Sequence, residues 1–183
     1  MHRGKFLQLL NEYQPTNRKE ISFKQEMLEF VEQHENCFER SLSKGHITAS
    51  AWLLNQSGTH ALLLHHAKLD RWFQLGGHCD GDPDPLNVAI KEAKEESGLQ
   101  DIQPISKAIF DIDIHLIPEN PKEGAHFHYD VRFLLQSFNS DQIIPNRESK
   151  SLLWVDKNLE NLPTNNPSVV RMFQKWINLM SYE

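Results

Sequence analysis

Three glutamates within one short stretch give this sequence its clearest capacity for chemistry. Glu92, Glu95 and Glu96 stand at i, i+3 and i+4, so on a helix they share one face. Crowded carboxylates repel one another unless a cation neutralises them, and hard cations such as Mg²⁺ prefer oxygen ligands. A cation held there beside a phosphate would stabilise transition-state charge and activate a water. The glutamates alone leave open a second interpretation, a solvated acidic helix face.

The residues around the glutamates predict the helix that would carry them. Asp84 is a good N-cap, and Pro85 suits the first helical position, where its missing N–H costs nothing. Gly98 stands where the end of a helix favours a positive φ. Between them, an apolar stripe that would face a core is formed by Leu86, Ala89, Ile90 and Ala93.

The stretch from Gly77 to Leu99 resembles the Nudix box. That pattern is Gly, five residues, Glu, seven residues, Arg-Glu, an apolar residue, any residue, Glu-Glu, any residue, Gly and an apolar residue. The spacing is intact here, with two departures: Pro83 replaces the first Glu and Lys91 replaces the Arg. In the family those two side chains typically pair. Asp82 and Asp84 are the acidic residues that could reach Lys91 instead.

The resemblance implies an α/β fold, the Nudix α/β/α sandwich with a mixed sheet. It also implies a metal-dependent pyrophosphohydrolase that cleaves the diphosphate of a nucleoside diphosphate linked to another moiety, with Mg²⁺ or Mn²⁺ as cofactor. By this resemblance, the metal ligands are Glu92, Glu95, Glu96 and the Gly76 carbonyl. The base is Glu92 or a glutamate from a later loop, for which Glu148 is the first candidate and Glu123 the second. A solvated loop glutamate is the alternative for Glu148.

An alternating row of polar residues suggests where substrate could bind. Residues two apart on a strand share a face, and the row consists of His126, His128, Asp130 and Arg132. We expect His126, His128 and Arg132 to contact substrate, with Arg132 holding a phosphate in a bidentate way. Two alternatives are a face turned to water and cross-strand pairs with Asp111 and Asp113.

Several zinc-ligand residue types also occur near the box. They are His78, Cys79, His126 and His128. The dense Cys/His spacing of zinc modules is missing, so ordinary loop packing is the favoured explanation of His78 and Cys79.

Two other functions remain open at this stage. Isopentenyl diphosphate isomerase shares the fold and uses a cysteine, and Cys79 suggests it, although the run Gly-Gly-His-Cys-Asp fits that family poorly. Some Nudix domains are non-catalytic nucleotide sensors, but those usually lose the glutamates that this chain keeps. The substrate is not identified, because two family markers are missing. Ile114 replaces a proline typical of ADP-ribose-cleaving relatives, and His115, Leu116 and Ile117 stand where dinucleoside polyphosphate-cleaving relatives tend to carry a tyrosine.

Hydrophobic periodicity predicts helices before and after a set of strands. A helical N-terminal extension is expected over residues 1–43, with an apolar stripe that continues from Phe23 to Phe38, and the Nudix domain over 44–183. Predicted strands cover residues 47–54, 61–66, 72–75, 108–115, 126–135 and 152–155. A final helix is expected from Pro167, capped by Asn166.

Composition limits the classes of partner. The chain has 183 residues and a formal net charge of −6, without a basic run, which argues against nucleic-acid and anionic-membrane binding. No apolar run approaches the ~18 residues of a membrane span. Cys37 and Cys79 give no disulfide framework, so free thiols and a cytoplasmic location are expected. The expected partner is a small nucleoside diphosphate derivative, and a homodimer is possible.

Overall fold

The computed structural model describes residues 3–121, 123–147 and 149–179. Its α-helices are α1 (Gly4–Glu12), α2 (Arg18–Gln33), α3 (Pro85–Ser97) and α4 (Pro167–Leu179). A single 3₁₀ turn covers Leu159–Asn161. Among these described residues, no helix combines the length and the apolar character needed to cross a membrane.

Within the described ranges, eight strands lie between α2 and α4. They are β1 (Gly45–Leu54), β2 (Ala61–His66), β3 (Arg71–Phe73), β4 (Leu75–His78), β5 (Ile102–Pro104), β6 (Asp111–Ile117), β7 (His126–Ser137) and β8 (Ser149–Val155). They form one mixed, curled sheet in the order β3-β2-β1-β7-β5, with β4 on β1, β6 on β7 and β8 on β2. The predicted α/β class is therefore confirmed.

The chain divides into two compact units, and the first holds the N-terminal helices. It comprises the described parts of Met1–Ser50, Gly76–Ala89 and Ser106–Phe133. Phe30 of α2 stacks on Tyr129 of β7, with ring centroids 3.9 Å apart. Phe6 of α1 packs against Phe38 at 5.7 Å, and both rings are buried. Apolar faces of both helices thus complete the core of this unit.

The second unit comprises the described parts of Ala51–Leu75, Ile90–Ile105 and Leu134–Glu183. Strands β2 and β8 pair antiparallel over six residue pairs, from Ala61↔Val155 to His66↔Ser149. Trp176 of α4 is fully buried and lies 6.2 Å from the ring of Trp52 in β1. The helix cap is the predicted one, because the Asn166 side chain accepts a hydrogen bond from the backbone N–H of Ser168.

Four details differ from the sequence predictions. Helix α2 ends at Gln33, so Cys37 and Phe38 are buried from turns rather than from a continued helix. The strand predicted at 72–75 is two strands, β3 and β4, and β4 continues through the glycines to His78. Strand β5 was not predicted, since three residues are too few to show an alternation. Strand β6 begins at Asp111 rather than near residue 108. The division at residue 43 stays a prediction.

Gly98 offers a test of how helix α3 ends. Its φ is +77°, and an added Cβ would lie 2.9 Å from Cβ of Ile144. We expect Gly98→Ala to lower the free energy of unfolding by about 1–3 kcal/mol, because alanine is strained at this φ and the neighbour is close. Urea unfolding measures the change. Gly4→Ala is the matched control, since no atom lies within 4 Å of its added Cβ. Equal stability of the two variants would contradict the interpretation.

Candidate functional site

The helix that carries the three glutamates begins and ends as its sequence predicts. Asp84 Oδ1 accepts a hydrogen bond from the backbone N–H of Asn87 at 3.2 Å, which satisfies one of the unpaired donors at the helix start. Asp82 Oδ1 in turn accepts from the N–H of Asp84 at 2.9 Å. At the other end, the Gly98 N–H donates to the carbonyl of Lys94 at 2.9 Å. These local bonds fix the length of α3.

The three glutamates differ in their exposure. Glu95 is exposed, and its carboxylate lies 3.9 Å from Nζ of Lys91. Glu92 is half-buried, and Glu96 is only 8% exposed. A carboxylate that leaves water requires a cation or hydrogen-bond donors, because isolated buried charges are costly. A uniformly solvated acidic face therefore does not describe this helix. Lys91 lies beside Glu95 on its own helix, and its contact with Asp82 or Asp84 stays a prediction.

Gly76, whose carbonyl was predicted to bind metal, lies where β4 approaches β1 closely. Its φ is +156°, and an added Cβ would lie 2.7 Å from the carbonyl oxygen of Ala49 and 2.8 Å from Cα of Ser50. A side chain at this position would collide with backbone. The glycine is thus required by the pairing of the two strands.

Arg132 lies in a buried ion cluster with three aspartates, Asp111, Asp113 and Asp130. The Arg132 side chain is 1% exposed, its Nη1 donates to Asp111 Oδ2 at 2.9 Å, and its Nε donates to Asp130 Oδ2 at 2.7 Å. Its Nη2 lies 3.7 Å from Asp113 Oδ2. Burial alone lowers the pKa of the guanidinium, but the aspartates outweigh this effect and raise the pKa above its ordinary value. The predicted cross-strand pairs are formed, and the water-facing alternative is wrong. Phosphate binding by Arg132 stays a prediction.

Two hydroxyl groups of β1 complete this ion cluster. Thr48 Oγ1 donates to Asp130 Oδ1 at 3.0 Å, and Ser50 Oγ donates to the same oxygen at 2.8 Å. Each aspartate that leaves water needs such donors, since the single guanidinium cannot neutralise three carboxylates. The cluster therefore links β6 and β7 to β1.

His126 and His128 lie in a group of five neighbouring imidazole rings, here called the histidine cluster. Ring centroids of neighbouring members are 4.9 to 5.5 Å apart. Its members are His46, His78, His115, His126 and His128. Sequence reasoning singled out His78, His126 and His128 but missed His115 and His46. His46 lies far from the others in sequence, near the start of β1. Contact of His126 and His128 with substrate stays a prediction.

The two cysteines are free thiols, as predicted, and both are buried. Burial raises the pKa of the Cys79 thiol above its ordinary value, and the neighbouring carboxylates of Asp82 and Asp130 raise it further. Burial also raises the pKa of Cys37 to about 11. Because a thiolate is the reactive form, neither cysteine has the environment of a catalytic nucleophile. The isomerase alternative gains no support from Cys79.

Of the two loop glutamates that were candidates for the catalytic base, the structure describes only Glu123. Glu148 lies outside the described residues, so its predicted role stays a prediction. Glu123 is exposed; burial lowers the pKa of both His46 and His78, and the negative charge of Glu123 partly opposes that lowering. It is therefore close to the histidine cluster.

Comparisons with known proteins give one family and one fold. The family model described as the NUDIX domain matches residues 44–177. A NUDIX-family hydrolase from Clostridium perfringens is 26% identical, with a TM-score of 0.55, and the match covers 73% of this chain and 97% of that one. Comparison with curated proteins gives no match.

Two more distant structures share the fold. The Ap4A hydrolase of C. elegans, in a binary complex, is 16% identical with a TM-score of 0.59, covering 75% of this chain and 98% of that one. The E. coli dihydroneopterin triphosphate pyrophosphohydrolase is 17% identical with a TM-score of 0.52, covering 72% and 95%. The named substrates of these two proteins differ, so the shared fold does not select a substrate for this chain.

The buried ion cluster predicts a large effect on stability. We expect Arg132→Met to lower the free energy of unfolding by about 3–5 kcal/mol, because it leaves buried aspartates without their cation. Arg40→Met is the matched control, since Arg40 pairs with Asp80 and both side chains are about half exposed. Its effect should stay below about 1 kcal/mol. Urea unfolding of both variants measures the difference, and similar losses would contradict the role given to the cluster.

Proposed function

Since the chain belongs to the NUDIX domain family, we propose that it hydrolyses the diphosphate of a nucleoside diphosphate linked to another moiety, with a divalent cation at the three glutamates. Membership of the family makes it a pyrophosphohydrolase. The proposal concerns the substrate class, the metal and the residues that hold them. The observation that carries it is the set of three carboxylates on helix α3, of which Glu96 is buried and Glu92 half-buried.

The donor set fits a hard divalent cation. Carboxylate and carbonyl oxygens are the ligands that Mg²⁺ and Mn²⁺ prefer, and Glu95, Glu96 and the Gly76 carbonyl would supply them. Such a cation would neutralise charge on the diphosphate and lower the pKa of a water. A bound cation would also reduce the repulsion among carboxylates that share one helix face.

Glu92 is the remaining carboxylate on this face. We assign it to accept the proton of the attacking water, or to bind the metal with the other two. A base needs a carboxylate within reach of that water, and Glu148 in the later loop is the competing candidate. The small-molecule partner is a nucleoside diphosphate derivative.

Hydrolysis of a panel of nucleoside diphosphate derivatives tests the proposal. With Mg²⁺ or Mn²⁺ the native protein should release nucleoside monophosphate, and chelation should stop the reaction. Glu95→Gln and Glu96→Gln should each lower kcat/KM at least about a hundredfold, because metal ligands matter at least as much as the groups that orient them. Glu32→Gln on α2 is the matched control, since Glu32 is exposed and lies on another helix. Binding without turnover in the native protein would contradict the proposal and favour a sensor.

A pH profile separates the two candidate bases. For native protein, kcat/KM should fall on the acidic side as the base becomes protonated. In Glu92→Gln this acidic limb should disappear together with most of the rate, whereas Glu148→Gln should keep the limb. The opposite pattern would transfer the role of base to Glu148.

A further inference from the structure

The histidine cluster is not used by the proposed hydrolysis at the glutamates. All five of its rings belong to the first unit, and they come from β1, β4, β6 and β7. His46 is 3% exposed and His126 is 6% exposed, while His78, His115 and His128 are half-buried. Buried imidazoles in such number need a physical reason, because each carries two polar nitrogens.

We propose that His46, His78 and His128 bind a transition-metal cation, with Zn²⁺ the best-suited ion, at a site separate in its ligands from the three glutamates. One nitrogen of each of these histidines lies within 4.8 Å of the others. Imidazole nitrogens suit zinc and related transition metals, whereas Mg²⁺ selects oxygen donors. Three histidines with an open fourth position form a zinc-ligand set that is known from catalytic sites.

His46 supplies the strongest observation for this site. Within the part of the chain that the structure describes, neither of its ring nitrogens has a hydrogen-bond partner, although the residue is almost fully buried. Leaving a buried polar group unsatisfied costs roughly 1–3 kcal/mol. A cation that accepts a nitrogen lone pair would remove part of this cost.

The hydrogen bonds of His126 orient its neighbour His128. Nδ1 of His126 donates to the carbonyl of Gly124 at 2.8 Å, because a carbonyl can only accept. In the neutral ring Nε2 of His126 then carries a lone pair, and it lies 3.3 Å from Nε2 of His128. A proton on Nε2 of His128 satisfies this contact and leaves its Nδ1 lone pair available for a cation. Such outer hydrogen bonds commonly fix the ring orientation of metal-binding histidines.

Burial disfavours the charged form of His46, His78 and His128, and metal binding requires the neutral form. Burial lowers the pKa of His46 to about 4, with further lowering from His78 and His126. Burial also lowers the pKa of His128 to about 2, and the neighbouring rings add to the effect. Burial is also the main cause of the lowered pKa of His78.

Charges of both signs lie around the cluster. Glu123 and Asp80 raise the pKa of His78, whereas Arg40 lowers it. The positive charge of Arg40 is offset by its own ion pair with Asp80. Nδ1 of His115, the ring beside His128, lies 3.2 Å from Asp113 Oδ2. Asp113 is itself close to the guanidinium of Arg132, at 3.7 Å.

Zinc binding requires the ligand nitrogens of His46, His78 and His128 to move modestly closer to one another. They lie within 4.8 Å of one another, and tetrahedral zinc with bonds of about 2.05 Å places its ligands about 3.4 Å apart. Rotation about side-chain torsions supplies such a movement, since His78 and His128 are only half-buried.

Metal analysis of dialysed protein tests the proposal. Native protein freed of metal with chelator and dialysed against ZnSO₄ should retain one zinc per chain. His78→Asn and His128→Gln should each weaken zinc binding by about a hundredfold or more, since each removes a ligand. His60→Asn, which changes a histidine in the second unit, is the matched control and should bind as native. The double variant Glu95→Gln, Glu96→Gln should also keep its zinc.

Co²⁺ absorption and thermal unfolding show whether a variant that loses zinc is still folded. Co²⁺ in place of zinc should give the visible absorption of a four-coordinate nitrogen site in native protein and lose it in His128→Gln. Zinc should raise the Tm of native protein but not of the folded histidine variants. Retention of no zinc by native protein would overturn the proposal. So would zinc loss in the glutamate variant with binding intact in the histidine variants.

Discussion

Arg132 is the residue whose burial constrains the strands of the first unit most. Its guanidinium is held by Asp130 on the same strand at 2.7 Å and by Asp111 across the ladder at 2.9 Å. The pair with Asp111 follows the strand register Asp111↔Arg132. A slip of one residue would turn the guanidinium to the opposite face and leave buried aspartates uncompensated. The ion cluster therefore specifies the register of β6 with β7. Hydroxyl donors from Thr48 and Ser50 extend the same constraint to β1.

The same register assembles the histidine cluster. Residues two apart on β7 share a face, so His126 and His128 lie in one row with Asp130 and Arg132. Pairing with β6 places His115 opposite His128, and β1 brings His46 to the same rings. A cluster of buried imidazoles is costly to form in isolation, but here its positions are fixed by an ion cluster whose disruption would cost more. Stability and the proposed zinc site thus share one structural cause.

Local signals in the sequence predicted helix α3, but contacts between distant segments could not be read from it. Asp84 and Gly98 define the helix ends through bonds to residues within four positions, and such bonds leave a sequence signature. His46 comes close to His78 and His128 only because their strands belong to the same sheet. The spacing of these residues in the sequence does not predict that contact. The alternation of polar and apolar residues correctly placed Arg132 on the polar face of β7. Such a pattern does not show whether that face is exposed to solvent or packed against aspartates. Metal binding at the glutamates and at the histidines rests on chemistry argued from the residues.

The departures from the Nudix box are matched by a different local structure at the start of α3. The family pairs a Glu and an Arg at the positions that Pro83 and Lys91 hold here. In this chain Asp82 bonds to the N–H of Asp84 and to the side chain of Asn87, so short-range bonds fix the turn that a longer ion pair would otherwise hold. Lys91 is then left to approach Glu95 at 3.9 Å. That contact is exposed and worth little, so a divalent cation can take Glu95 from it at small cost. The rewiring changes how the start of the helix is anchored and leaves the exposed Glu95 carboxylate in a weak contact with Lys91.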